Sequence, residues 1–99
     1  MKPTSYDNVF VNKAFIELYK KADVRLRKNV DEKFRIFEKN PFDLGLNNHS
    51  LRDEWADHRS IDITNDYRAI YKEVREGEEL NAYFVDLGTH DELYGGGRT

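Results

Sequence analysis

The chain of 99 residues contains no cysteine, no long hydrophobic run and little net charge. The absence of cysteine excludes a disulfide framework, a thiolate metal site and a thiol nucleophile. No apolar stretch approaches the roughly 20 residues that span a bilayer, and the N-terminus lacks the apolar segment of a signal peptide. We therefore expect a soluble, cytoplasmic protein.

The net charge of −3 is unevenly distributed. Residues 1–40 carry ten Lys and Arg against six Asp and Glu, whereas residues 41–99 carry six against thirteen. An acidic total argues against strong nonspecific binding to nucleic acid, because neutralisation of phosphates by Lys and Arg supplies most of that affinity. A local basic site is still compatible with this balance.

The length and a hydrophobic content of 38% suit one small domain with a single core. We assign residues 1–94 to this domain and expect the glycine-rich residues 95–99 to form a flexible tail. Residues 7–11 predict a short first strand.

Two helices are predicted after this strand. Asn12 is a typical helix N-cap, and the apolar residues that follow it recur at steps of three and four, as on one face of a helix. Asp23 predicts a break and a second cap. The second helix ends at Asn40, because the residue before a proline is pushed out of the α region.

Residues 59–71 predict a β-hairpin in which Ile61 and Ile63 alternate with polar residues. A two-residue loop would place Arg68 on the isoleucine face and bury an unpaired guanidinium, which is costly. A three-residue loop instead places Asp62 opposite Arg68 on the other face of the sheet. We predict this second register.

The second strand of this hairpin, residues 67–74, and a last strand, residues 80–87, are joined by a polar, glycine-containing hairpin loop. If the last strand exposes Asp86 on the face that carries Arg68, simple alternation places Ala82 and Phe84 on that face as well. Tyr83, Val85 and Leu87 would then point to the core.

The predicted fold is therefore α+β, in the order β-α-α-β-β-β, with the two N-terminal helices packed on one face of a twisted antiparallel sheet. The other face stays open. Residues 42–59 predict a loop that contributes Trp55 to the core. Thr89 and Glu92 have the spacing of a capping box and predict a short helical turn at the end of the domain.

The open face is where chemistry is expected. Arg68 lies on it, His90 follows the last strand, and His49 lies in a loop that can reach the same face. Histidine titrates near neutral pH, and the planar guanidinium of arginine binds phosphate. Together they suit acid–base cleavage of a phosphodiester.

Four strings of residues resemble the RelE/ParE toxin superfamily, and among its branches they are most similar to the YafQ-type messenger-RNA interferases of type II toxin–antitoxin pairs. The resemblance covers about residues 6–94. It is carried by the segments NNHSL, RSIDI, DYRAIY and GTHDELY, at residues 47–51, 59–63, 66–71 and 88–94.

This resemblance implies a RelE-like fold and a ribosome-dependent endoribonuclease. The ribose 2′-hydroxyl would attack the adjacent phosphate of a messenger RNA, and neither a metal nor another cofactor would be required. The implied partners are a cognate antitoxin, messenger RNA and the ribosome.

The resemblance also implies roles for individual residues. His90 would be the main acid–base group, with His49 as its complement. Arg68 would hold the phosphate, Asp66 would orient a histidine or bind the RNA, and Tyr94 would stack on a base.

Two positions depart from the YafQ pattern. Asp62 stands where those toxins have a histidine, and Asp86 stands where they have an arginine. Both put negative charge at positions expected to face the substrate. Arg59 is a further expected contact for the substrate that could compensate, as could His58 and Lys72.

Three other functions stay open at this point. A ParE-like protein would inhibit DNA gyrase without cutting RNA, and a catalytically weakened toxin would only bind its antitoxin. A divalent metal could also be held by Asp62, Asp86 and a histidine.

Overall fold

The computed structural model describes residues 5–94, so the predicted tail lies outside the described residues. The elements are β1 (Asn8–Val11), α1 (Lys13–Lys21), α2 (Val24–Lys39), β2 (His49–Ser50), β3 (His58–Asp62), β4 (Tyr67–Glu76), β5 (Glu79–Thr89) and α3 (His90–Tyr94), with single 3-10 turns at Leu44–Leu46 and Asp53–Trp55. Within residues 5–94, no helix has the length and apolar character needed to cross a membrane.

Both predicted helix caps are confirmed. The side chain of Asn12 accepts a hydrogen bond from the amide of Phe15 at 2.8 Å, and Asp23 does the same for Leu26 at 2.8 Å. These bonds satisfy amides that have no partner within the helix. The second helix ends at Asn40, as predicted from the following proline.

The sheet has five strands in the order β1-β5-β4-β3-β2. The predicted α+β class is confirmed, but the prediction of an all-antiparallel sheet is wrong for β1, which pairs in parallel with β5. Parallel neighbouring strands need a long connection. The connection from β1 to β5 begins with the two helices. Strand β2 was missed because two residues carry no periodic signal.

The predicted register of the central hairpin is confirmed. Asp62 pairs with Arg68, and Ile61 pairs with Ala69. Ile61, Ala69 and Tyr71 are buried together in the core between the sheet and the helices. We call this side of the sheet the helical face and the side that carries Arg68 the cleft face.

The alternation expected for the last strand is confirmed for Leu87, which lies in the core, but is wrong for residues 82–84. Tyr71 pairs with Phe84 while its neighbour Ile70 pairs with Asp86, so Val85 is an extra residue in β5. A bulge of this kind shifts the side-chain alternation by one. Phe84, like Ala82, is therefore fully buried in the helical-face core instead of lying on the cleft face.

Aromatic rings fill the core on the helical face. The ring of Phe84 lies 4.4 Å from that of Phe34, 5.1 Å from Phe37 and 5.0 Å from Tyr71, measured between centroids. Rings at such distances and inclined to one another pack favourably. This cluster holds the two helices on the sheet.

The cleft face was predicted to be open. It is not, because α3 folds back over its middle. Ser60 and Ile70 on this face have no exposed surface. Gly88 allows the approach, since a Cβ there would lie 3.4 Å from the Leu93 side chain. Trp55 is half-buried beside α3, not a core residue, and its indole nitrogen donates to the carbonyl of Leu93 at 3.0 Å.

Candidate active site

A cleft of about 370 Å³ opens between α3 and strand β2 on the cleft face. It brings together four of the side chains predicted for the site, which are far apart in the chain. The lining residues are Asn47, His49, Leu51, Arg68, His90 and Tyr94.

Arg68 is held in place by the turn that precedes it. Its Nη1 donates to the carbonyls of Thr64 at 3.0 Å, Asn65 at 3.0 Å and Tyr67 at 3.1 Å. Because the backbone fixes one edge of the guanidinium, the group reaches the cleft in a single orientation. Little conformational entropy is then lost when the group binds a ligand.

The same guanidinium forms an ion pair with Asp62, with 3.0 Å between Nε and Oδ1. Oδ1 is buried, and no N–H group of the described residues points at it with hydrogen-bond geometry. The contact is therefore mainly electrostatic. It neutralises part of the positive charge that Arg68 presents to the cleft.

His49 lies on strand β2, opposite Ser60. Its Nδ1 is 2.8 Å from the carbonyl oxygen of Asn47. A carbonyl can only accept, so this contact assigns a proton to Nδ1 and leaves Nε2 of the neutral ring as a base. Asn47 has the left-handed φ of 49° that turns the chain into the strand.

His90 and Tyr94 occupy the two ends of α3, one turn apart and on the same side of the helix. Their ring centroids are 4.6 Å apart, and the Tyr94 hydroxyl donates to the buried Ser60 Oγ at 3.0 Å. The predicted capping box is confirmed: the Thr89 amide donates to Glu92 Oε1 at 2.8 Å, and the Glu92 amide donates to Thr89 Oγ1 at 3.1 Å.

Four predicted site residues do not line this cleft. Asp62 is paired with Arg68, and the other three lie elsewhere. Asp66 is exposed and lines a depression beside the start of α2, although its carbonyl accepts from the His90 amide at 3.1 Å. The carboxylate of Asp86 accepts from the adjacent Leu87 amide at 2.8 Å. Arg59 lines a different cleft, where its guanidinium lies 5.1 Å from the ring of Phe42.

The structure does not gather a metal-binding group. Among residues 5–94, no three His, Cys, Asp or Glu side chains are close enough to hold an ion. The alternative built on Asp62, Asp86 and a histidine therefore lacks its ligands.

Asn48 is a site-forming residue that the sequence did not single out. Its Nδ2 donates to the Tyr71 hydroxyl and to the carbonyl of Pro41, both at 2.8 Å, and its Oδ1 accepts from Arg59 Nε at 2.7 Å. Burial raises the pKa of Tyr71 above its ordinary value, so its hydroxyl stays protonated. Through this network, the core anchors strand β2, which carries His49.

No protein-family profile and no curated protein sequence matches this chain. Several solved structures, however, have a fold similar to that of this chain. A YoeB/ParE toxin from Agrobacterium tumefaciens is 19% identical, with a TM-score of 0.67 over 84% of this chain and 98% of its own. YafQ from Escherichia coli is 22% identical, with a TM-score of 0.60 over 88% and 97%.

The toxin–antitoxin complex RelBE2 from Mycobacterium tuberculosis is also similar, with 20% identity and a TM-score of 0.69 over 90% of this chain and 95% of the matched chain. These similarities confirm the fold that the sequence motifs predicted. The chain has the RelE/ParE-type toxin fold, and its structural neighbours include YafQ.

Proposed function

We propose that this protein is the toxin of a type II toxin–antitoxin pair and that it cuts messenger RNA on the ribosome. The supporting observation is the convergence of two histidines, a backbone-anchored arginine and a tyrosine on one cleft of about 370 Å³. In the fold of the RelE and YafQ toxins, this set matches what phosphodiester cleavage requires.

In the proposed reaction, the 2′-hydroxyl of one ribose attacks the adjacent phosphorus. His49 Nε2 accepts the hydroxyl proton, and His90 donates a proton to the departing 5′-oxygen. The products are a 2′,3′-cyclic phosphate and a 5′-hydroxyl. Arg68 stabilises the negative charge that develops on the phosphate oxygens, and Tyr94 stacks on a base beside the scissile bond.

The ion pair of Arg68 with Asp62 sets the strength of this site. A carboxylate 3.0 Å from the guanidinium competes with the phosphate for the same charge. We therefore expect a slower enzyme than one with a neutral or cationic residue at position 62. Asp86 contributes less, because its carboxylate bonds the adjacent Leu87 amide, whereas that of Asp62 is paired with Arg68.

The test is cleavage of a messenger on translating ribosomes by the purified protein, with cut sites mapped by primer extension. We expect His90→Gln to slow cleavage by about 10²–10⁴-fold and Arg68→Ala by about 10²–10³-fold. The matched controls are Asp91→Asn on the same helix and Arg75→Ala on the same strand, which should retain activity.

Growth on induction in a bacterial host separates the alternatives. Arrest with cut messengers, relieved by both substitutions, supports the nuclease. Arrest with intact messengers would favour a gyrase inhibitor and contradict the proposal. No arrest and no cleavage would leave a protein that only binds an antitoxin.

The proposed antitoxin has a candidate docking surface on the helices. An apolar groove of about 350 Å³ lies between α1 and α2, beside the exposed side chains of Val11 and Ile16. Such a groove fits the apolar face of a partner helix. We expect Ile16→Asp to abolish co-purification of the antitoxin, whereas Val24→Asp, at an exposed position outside the groove, should not.

A further inference from the structure

A second cleft, of about 450 Å³, lies where β3 begins and β4 extends past it. The mechanism proposed above does not use this cleft. Its lining residues are Ser50, Asp57, His58, Arg59, Lys72 and Glu73. Ser50 directly follows His49 in strand β2, so this one short strand contributes to both clefts.

The second cleft has two cationic side chains, Arg59 and Lys72, and two carboxylates, Asp57 and Glu73. Arg59 is fixed by its bond to Asn48 at 2.7 Å and by the ring of Phe42. Lys72 is exposed. Glu73 follows Lys72 in β4, so it points to the other face of the sheet, where it accepts a hydrogen bond from Tyr6.

His58 also presents a free ring nitrogen. Its Nδ1 is 3.1 Å from the carbonyl oxygen of Ala56. By the same reasoning as for His49, the proton lies on Nδ1 and Nε2 is available to a ligand.

Aromatic rings connect the two clefts. Trp55 packs edge-to-face on His58, with ring centroids 5.2 Å apart, and its indole nitrogen bonds the carbonyl of Leu93 in α3. The next residue in that helix is Tyr94, which lines the first cleft. A row of contacts therefore runs from His90 and Tyr94, through the backbone of Leu93, to Trp55 and His58.

Cations stand at both ends of this row. Arg68 and Lys72 are four residues apart on one regular strand, so they share the cleft face at a separation of about 13 Å. Alternation of aromatic rings with cations is the arrangement that binds single-stranded nucleic acid, with bases stacked on rings and phosphates on Lys and Arg.

We propose that the second cleft is an extended RNA-binding subsite. A single-stranded RNA held for cleavage at His49 and His90 continues across α3, stacks a base on Trp55 and His58, and places a backbone phosphate on Lys72. This inference rests on the proposed function, because it takes the first cleft as the cleavage site.

The test is binding of fluorescent 2′-O-methyl RNA, which cannot be cut, to the purified full-length protein. A four-nucleotide RNA reaches the first cleft alone, and an eight-nucleotide RNA reaches both. We expect the longer RNA to bind at least about tenfold more tightly, since each base stacked on an aromatic residue contributes about 5- to 150-fold in affinity.

Substitutions then assign the gain to the second cleft. Lys72→Ala should lower affinity for the longer RNA about three- to tenfold and reduce the slope of log affinity against log salt by about 0.7. Affinity for the shorter RNA should not change. Trp55→Leu should remove most of the length effect. Arg75 is an exposed cation on the same strand, and it points to the other face. Arg75→Ala should therefore have no effect.

The outcomes separate this inference from the proposed function. The subsite would be overturned if the two RNAs bound with equal affinity. It would also be overturned if Lys72→Ala and Lys72→Glu left the affinity for the longer RNA unchanged. In either case, binding of the shorter RNA that depends on Arg68 would still support the first cleft. Lys72 is exposed, so these variants should fold even where Trp55→Leu does not. Failure of the wild-type protein to bind either RNA would overturn the subsite, whereas the proposed function is tested separately by cleavage on translating ribosomes.

Discussion

The two faces of the sheet are built by different interactions. On the helical face, apolar and aromatic side chains are buried against α1 and α2, with Phe37 and Phe84 nearly inaccessible to water. On the cleft face, α3 is held by its capping box, by the Tyr94–Ser60 hydrogen bond and by Gly88 beneath it. The first arrangement supplies stability, and the second supplies the position of functional groups.

This difference follows from the physics of each kind of contact. Burial of apolar surface is non-directional and large in sum. A hydrogen bond contributes about 0.5–1.5 kcal/mol net but constrains distance and angle. A substitution on the helical face should therefore change stability most, whereas one on the cleft face should change activity most.

The largest expected effect is on the helical face. Phe37→Ala removes a ring that contacts Tyr6, Tyr71 and Phe84, and should lower the free energy of unfolding by about 3–5 kcal/mol. Urea unfolding measures the change. The control is Phe10→Ala, at a ring that is 41% exposed, which should cost much less. Similar losses at both positions would contradict the division between the faces.

A smaller loss is expected from Gly88→Ala. The new Cβ would lie 3.0 Å from Glu92 Oε1 and 3.4 Å from the Leu93 side chain, so the Glu92 carboxylate must move from the Thr89 amide that it caps. We expect a loss of about 0.5–2 kcal/mol of stability and a larger proportional loss of cleavage, because this cap fixes the start of α3, where His90 lies. Gly77→Ala is the control: with a φ of 64° it adds backbone strain in a hairpin turn remote from the cleft, so stability should fall while cleavage is kept.

Asp62→Asn should separate stability from activity on the cleft face. Three backbone carbonyls still hold Arg68, so the stability cost should stay within about 1 kcal/mol. Removal of the carboxylate frees the guanidinium for phosphate, so affinity for uncleavable RNA should rise about three- to tenfold. RNA titration and thermal unfolding of the same preparation measure both. Weaker RNA binding would show that the pair orients Arg68 for the substrate.

The smallest effect concerns alkaline pH. Burial, followed by its hydrogen bond to Glu73, raises the pKa of Tyr6 far above its ordinary value of 10. The unfolded chain therefore loses this proton near pH 10 while the folded chain keeps it. The stability that this tyrosine contributes is complete below pH 10 and is lost as the pH rises beyond that value.

Tyr6→Phe should reduce the decline of stability above pH 10 by up to about 1.4 kcal/mol per pH unit. Urea unfolding from pH 8 to pH 11 measures the slope. Tyr83→Phe is the control, since its hydroxyl also bonds a carboxylate but is exposed to solvent. A steeper decline in Tyr6→Phe than in the wild-type protein would contradict the assignment.

Much of this molecule is encoded locally in its sequence. The caps at Asn12 and Asp23, the capping box at Thr89, and the register that pairs Asp62 with Arg68 each depend on a few neighbouring residues and on the cost of burying a charge. The motifs that resemble RelE/ParE toxins also named His49, Arg68, His90 and Tyr94, which the fold brings to one cleft.

Other features depend on contacts between distant segments. The bulge at Val85 moves Phe84 into the core, β1 joins the sheet in parallel beside β5, and α3 closes over a face expected to be open. The same packing separates Arg59 from Arg68 and places it in a second cleft. Alternation along one strand cannot predict these features, because each depends on which arrangement of distant segments buries the most apolar surface while most buried polar groups keep a partner.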